Sequence, residues 1–363
     1  MFDWIPLPSY TPIYYHVLLL VNVFVFIHAL RYKINESANL KVMQITGVFV
    51  FAFVLLYMGT RPLSGRYFVD MGTYNNIFQN YAKGNPITTT KDLMFHSFTW
   101  SLAQIISSKA FFFVCATLYI VPCYIIAKKW FQKYWFYAFL MMIGSFSFWA
   151  YGVNGIRNGI ATAFFLMALA SNKRLIQILW LFLAVNFHTS MLLPTAALIA
   201  TWFYNQPKGF YYFWLLSIPL SLMFPGFWES FFASMVEDDR ASYLTKEVDP
   251  SKFASTGFRW DFLLYSATGV FAGTYYLFKK KIEDQTYIRL FNIYLFANAF
   301  WILVIRANFS NRFAYLSWFL LALVIVYPWL KFYFEKNQHR KLGMIMLAYF
   351  GFTYFMGVIL KMF

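Results

Sequence analysis

Long apolar runs separated by short polar joints fill most of the chain. Many are close to the 20 residues that carry a helix across a bilayer. We read twelve such spans, at 11–30, 42–60, 109–127, 135–152, 156–171, 175–187, 189–204, 209–226, 258–278, 288–305, 312–330 and 342–360. The sixth and seventh are short enough to tilt or break. The joins near Arg157 and His188 suit either re-entrant segments or full crossings. Two stretches break the pattern. In 61–108, Leu93, Met94, Phe98, Leu102, Ile105 and Ile106 recur among polar residues, which predicts an amphipathic helix lying on a membrane face. The stretch 227–257 is polar and acidic in its first half, and reads as an outer-face loop or lid.

Composition agrees. The 363 residues are 61% hydrophobic and 12% charged, about half the charge of a soluble domain. The fold class predicted is an all-α polytopic membrane protein of about twelve transmembrane helices. No long soluble segment exists, so residues 1–363 read as a single transmembrane domain. The first ten residues lack the basic region of a signal peptide.

The net charge of +16 does not point to nucleic acid, because no basic block is long enough to form an arm. Small clusters such as Lys128/Lys129/Lys133 and Lys279/Lys280/Lys281 instead punctuate the apolar runs. Placing the clustered loops inside gathers 17 of the 30 lysines and arginines there and sets the orientation. Both termini and ten of the 14 acids then face outward. Cys115 and Cys123 lie eight apart in one span, about 12 Å of helical rise, too far to form a disulfide.

Candidate chemistry collects at the outer edge. Arg157, in "YGVNGIRNGIATAFFLMALA", opens a span among glycines. An arginine there either snorkels or faces a partner or wet cavity. A guanidinium at a helix N-terminus makes an anion site. Arg312, in "IRANFSNRFAYL", opens another span, and Arg306 flanks the same turn. His188, in "NFHTSMLLP", lies at the same depth, either satisfied by a neighbouring helix or free to bind phosphate or move a proton. Asp70, Tyr74 and Phe78 share one helical face, and Asp70 is either a helix cap, a partner of Arg66 or a base. Arg259 and Asp261 read either as an ion pair or as part of the outer site. Tyr74, Asn154 and Asn158 are the candidate glycan contacts. No phosphate-binding GxxxxGK[ST] run, HExxH, paired-Cys motif or GxSxG elbow is present, and no metal site or cofactor is expected. Arginine-rich chemistry without a metal suits a diphosphate leaving group.

The ordered set "VDMGTYNNIF", "GIRNGIATAFFLMALA", "NFHTSMLLP" and "NRFAYLSWFL" resembles the EpsG family, a branch of the Wzy-type O-antigen and exopolysaccharide polymerases. The resemblance covers about residues 60 to 330. Asn158 stands where that family often has Gln, and Asp92 is the candidate for the acid it often carries ahead of the third span. The resemblance implies a GT-C-like helical architecture in the bacterial inner membrane, with its active site on the periplasmic face. It implies transfer of a growing glycan from undecaprenyl diphosphate to a lipid-linked repeat unit. The partners are then lipid-linked oligosaccharide donor and acceptor, membrane lipid and a chain-length regulator protein, with no nucleic acid. Arg157 and Arg312 would hold the donor diphosphate, and Arg306 and Arg259 the acceptor's. His188 would bind phosphate or act as base, with Asp70 the other base candidate. The rival readings are an O-antigen ligase, a lipid-linked oligosaccharide flippase and an outer-face O-acyltransferase. A transporter often shows internal repeats and mid-membrane charges, and neither is evident.

Overall fold

The computed structural model describes residues 2–235, 257–308 and 310–361. Among them the chain is helical, without a strand. Five helical stretches are long and apolar enough to cross a membrane: Leu7–Arg31, Ser37–Gly59, Ser108–Ile143, Ser310–Lys331 and Gln338–Ile359. Ile156–Ala170, Arg174–Phe187 and Thr189–Phe203 are apolar but shorter. Their faces turned away from the core stay apolar, as at Leu175, Leu179 and Phe182. Exposed apolar surface of that extent is what lipid covers, and the protein is membrane-embedded.

The chain divides into two compact units, Met1–Leu192 with Trp329–Phe363, and Leu193–Pro328. In the first unit, α1 (Leu7–Arg31) packs on α16 (Gln338–Tyr354), and α2 (Ser37–Gly59) packs on α5 (Ser108–Phe131). Helix α8 (Ile156–Ala170) lies between α5 and α9 (Arg174–Phe187). Buried polar side chains lock the apolar helices in register. The Asn39 amide donates to Ile34 O at 2.9 Å, and the Tyr137 hydroxyl lies 2.8 Å from His339 Nε2. Such groups are expensive to leave unpaired away from water, so they select one packing over its neighbours.

The span expected at 135–152 is two helices, α6 (Trp135–Ile143) and α7 (Phe148–Val153). Between them Gly144, Ser145 and Ser147 favour a turn over helix continuation. Every residue of α6 is buried, so this apolar run meets protein rather than lipid. The stretch 61–108 holds α3 (Val69–Ala82) and α4 (Leu93–Ala103). Helix α4 packs on α3 and α9, burying Phe95, His96, Thr99 and Ala103 while Leu93 stays exposed. Its buried face is thus set by Phe95 and His96.

In the second unit, α11 (Pro207–Met223) packs along α14 (Gln285–Leu303), and α13 (Trp260–Thr274) also meets α14. Trp214 Nε1 donates to Asn298 Oδ1 at 2.8 Å, and Asn298 Nδ2 donates to Ser317 Oγ of α15 (Ser310–Lys331) at 2.9 Å. The stretch expected to form a lid begins with α12 (Phe227–Met235). Residues 236–256 lie outside the described residues, as does most of that lid.

Candidate active site

The break that ends α7 and starts α8 organises the first unit. A Cβ on Gly159 would lie 2.8 Å from the Tyr151 carbonyl oxygen, so only glycine lets α8 start this close to the backbone of α7. Arg157 is therefore the second residue of α8, at the end where unpaired amides favour negative charge. Its side chain is 28% exposed. Nη1 donates to Asp92 Oδ2 at 2.7 Å, and Nε donates to the Tyr74 hydroxyl at 3.4 Å. The guanidinium also lies over the rings of Tyr74 and Phe95, at 5.7 and 5.8 Å.

Asp92 is held in the left-handed region, φ +48°, immediately before α4. Aspartate tolerates this conformation better than most residues, but it is still strained. The turn aims a carboxylate that is 3% exposed at two partners. One oxygen takes Arg157, and the other accepts the Thr189 amide at 3.1 Å. Asp92 thereby joins the start of α8 to the turn that carries His188. With both oxygens engaged, it orients the arginine.

His188 caps α9 in extended conformation and is buried. Its Nδ1 lies 2.7 Å from Ser190 Oγ and accepts the Ser190 amide at 3.2 Å. The Ser190 amide can only donate to Nδ1, whereas the shorter contact between Nδ1 and the hydroxyl fits either direction. Ser190 Oγ in turn donates to Asn158 Oδ1 at 3.0 Å, on the residue directly after Arg157 in α8. The structure thus brings together Arg157, Asp92, Tyr74, His188, Ser190 and Asn158.

Asp70 stands in the first turn of α3. It lies within electrostatic reach of Arg157 and Tyr74, and its carboxylate makes no hydrogen bond or ion pair among the described residues. Arg66 is exposed, with its guanidinium over the Tyr67 ring. Burial raises the Tyr74 hydroxyl above its ordinary pKa, against the lowering effect of Arg157, so Tyr74 stays a neutral partner. Asn154 follows α7, and its amide oxygen is buried without a partner. That atom is an acceptor awaiting a donor.

Behind these residues, Arg61 follows α2 and is 4% exposed. Nη1 donates to Met58 O at 2.7 Å and Nη2 to Val153 O at 3.3 Å. Burial pushes its pKa down to about 10. It ties the end of α2 to the end of α7, two residues before the break. The His96 imidazole lies 2.8 Å from the Tyr81 hydroxyl, and burial, then the Arg157 charge, lower its pKa.

The remaining candidates belong to the second unit. Arg259 is paired with Asp261, Nε to Oδ1 at 2.9 Å and Nη2 to Oδ2 at 2.6 Å, and covers the Phe262 ring at 3.6 Å. Its charge is already answered by a carboxylate. Arg306 donates from Nη1 to Ser221 O at 2.6 Å and lies over the Phe258 ring. Arg312 is exposed in the first turn of α15. Among the described residues, no three His, Cys, Asp or Glu side chains group as metal ligands.

Residues 48–362, nearly the whole chain, match the EpsG family. The chain belongs to the EpsG family. This is a Wzy-like polymerase family, so a polysaccharide-polymerase type of activity applies to this member. No curated protein and no solved structure matches the chain. Within this EpsG chain, Arg157, Tyr74, His188 and Asn158 were singled out in the sequence and lie together, Asp92 was a bare candidate, and Ser190 and Arg61 were not singled out. Asp92 follows a polar tract, "NPITTTKD", which offers no helical period to place it. Ser190 sits two residues after His188, and the turn between them was the available signal. Arg61 directly follows an apolar span, where an interfacial anchor and a buried tie look alike.

Proposed function

We propose that this EpsG-family protein transfers a growing glycan from undecaprenyl diphosphate to the sugar end of a lipid-linked repeat unit. The reaction takes place at the outer face of the inner membrane, in a polytopic, GT-C-like protein. The observation that carries this reading is Arg157: a partly exposed guanidinium at a helix N-terminus, aimed by Asp92 and Tyr74. Preorganised positive charge is worth most where negative charge develops during the reaction. Here that is the diphosphate oxygen as the anomeric C–O bond breaks and its electron pair departs.

The partners of each group divide the roles. His188 stands on the turn that Ser190 and Asn158 tie to the start of α8, and binds phosphate there. Asp92 has both oxygens engaged and keeps the Arg157 fork in place. Asp70, with an uncommitted carboxylate near Arg157, takes the proton from the acceptor hydroxyl as that oxygen attacks the anomeric carbon. Direct displacement of this kind inverts the anomeric centre. Asn154 Oδ1 and Asn158 receive glycan hydroxyls. Arg312 serves the second diphosphate.

Purified protein in proteoliposomes, given polyprenyl-diphosphate-linked repeat units and no lipid A, tests this reading. A ladder of products lengthening by one repeat is expected. Elongation only when a lipid A acceptor is added would identify a ligase. Movement of repeat units across the bilayer without bond formation would identify a flippase.

A further inference from the structure

Glu229 is a buried acid that the proposed chemistry leaves unused. It lies in the first turn of α12, is 5% exposed, and neither carboxylate oxygen has a hydrogen-bond partner. The amides of Gly226, Glu229 and Arg306 lie close enough to bear on it electrostatically without forming hydrogen bonds of proper geometry. The Arg306 guanidinium also acts on it at longer range, and is itself held by Ser221 O and the Phe258 ring. Beside it, Trp228 is half-buried, with its indole Nε1 donating to Leu220 O at 3.1 Å.

A carboxyl group left unpaired away from water is costly, and a native protein keeps one where a ligand completes it. The surroundings restrict that ligand. Arg306 disfavours a cation, and among the described residues no group of three His, Cys, Asp or Glu could hold a metal. The carboxyl itself disfavours an anion. A neutral molecule with several hydroxyls satisfies both oxygens. Burial raises the Glu229 pKa, against the lowering effect of the nearby amides and Arg306.

We infer that Glu229, with Arg306, forms a sugar-binding site in the second unit that receives the acceptor glycan. The sugar identity of the ligand rests on the polymerase reading above. The glycan hydroxyls take the two carboxylate oxygens, and Arg306 donates to a ring or hydroxyl oxygen.

The test uses two soluble probes on the full-length purified protein. One is the repeat-unit oligosaccharide freed from its lipid by mild acid, and the other is inorganic diphosphate. Binding of each is measured to wild type, Glu229→Gln, Glu229→Ala and Arg157→Lys. We expect the oligosaccharide to bind both Glu229 variants about ten- to a hundredfold more weakly, with diphosphate binding unchanged. Arg157→Lys should weaken diphosphate and leave the oligosaccharide alone. Equal oligosaccharide binding by wild type and both Glu229 variants, or none by wild type, overturns the inference. A diphosphate affinity untouched by Arg157→Lys counts against the donor site alone, so the two failures are distinguishable.

Discussion

Single side chains already separate binding from positioning. Arg157 makes one close charge-assisted bond, to Asp92, and a longer one to Tyr74. A lysine keeps the charge but loses the planar fork. Asp92→Asn keeps the side-chain shape and loses the charge that orients that fork. We expect it to lower kcat by about ten- to a hundredfold with a smaller change in KM, because a misaimed group is lost chiefly in the transition state. A KM change with kcat intact would make Asp92 a substrate contact instead. Glu229 gives a prediction in pH. Its folded pKa is raised, so the folded chain holds this proton more tightly than the unfolded chain does. That stabilisation is complete below the unfolded carboxyl range and is lost as pH rises through the raised value. Glu229→Gln should therefore melt at a higher temperature than wild type near neutral pH, with the gap closing towards pH 4. A gap that does not change with pH would remove the charge from the explanation.

Helices α7 and α8 show how an element places chemistry. Gly159 lets α8 begin against the Tyr151 carbonyl, and Arg61 ties α7 to the end of α2. Gly159→Ala should shift the start of α8 and cost about 1–3 kcal/mol through overpacking, read as a lowered Tm. Activity should fall further than stability, because a displacement of about 1 Å can cost about a hundredfold in rate. Activity that tracks folded protein alone would contradict this. The sequence was informative here: the glycines around Arg157 marked a break, and the helix starts within a residue of the expected place. It misread 135–152, where the apolar run was continuous in character. Only the burial of all nine residues of α6 distinguishes a core segment from a lipid-crossing one, and burial is a tertiary property. The same holds for Asp92, whose value comes from meeting Arg157 and Thr189 across 65 and 97 residues of chain.

At the scale of the molecule, the proposal depends on which side of the membrane holds Asp70 and Arg157. The positive clusters place Lys279 to Lys281 inside and the 61–108 segment outside. Cys115 and Cys123 are buried and free, so a single new cysteine can report each side. An impermeant maleimide applied to intact cells should label Lys83→Cys, whereas Lys280→Cys should react only after permeabilisation. The reverse pattern would put the arginine site on the wrong face for a flipped, lipid-linked substrate. The fold class and the family were legible in apolar run length and motif order. The division into two units was not, since no change of composition marks Leu193 or Pro328.

The central claim is that Arg157 holds a leaving diphosphate. Its most direct test is the lipid diphosphate released per glycosidic bond formed, measured in proteoliposomes for wild type and Arg157→Lys. The account predicts one diphosphate per bond for wild type, and a rate for the lysine variant lower by about a hundredfold or more, with the protein still folded. Full-rate release by Arg157→Lys would contradict it and reduce Arg157 to an anchor at the membrane edge.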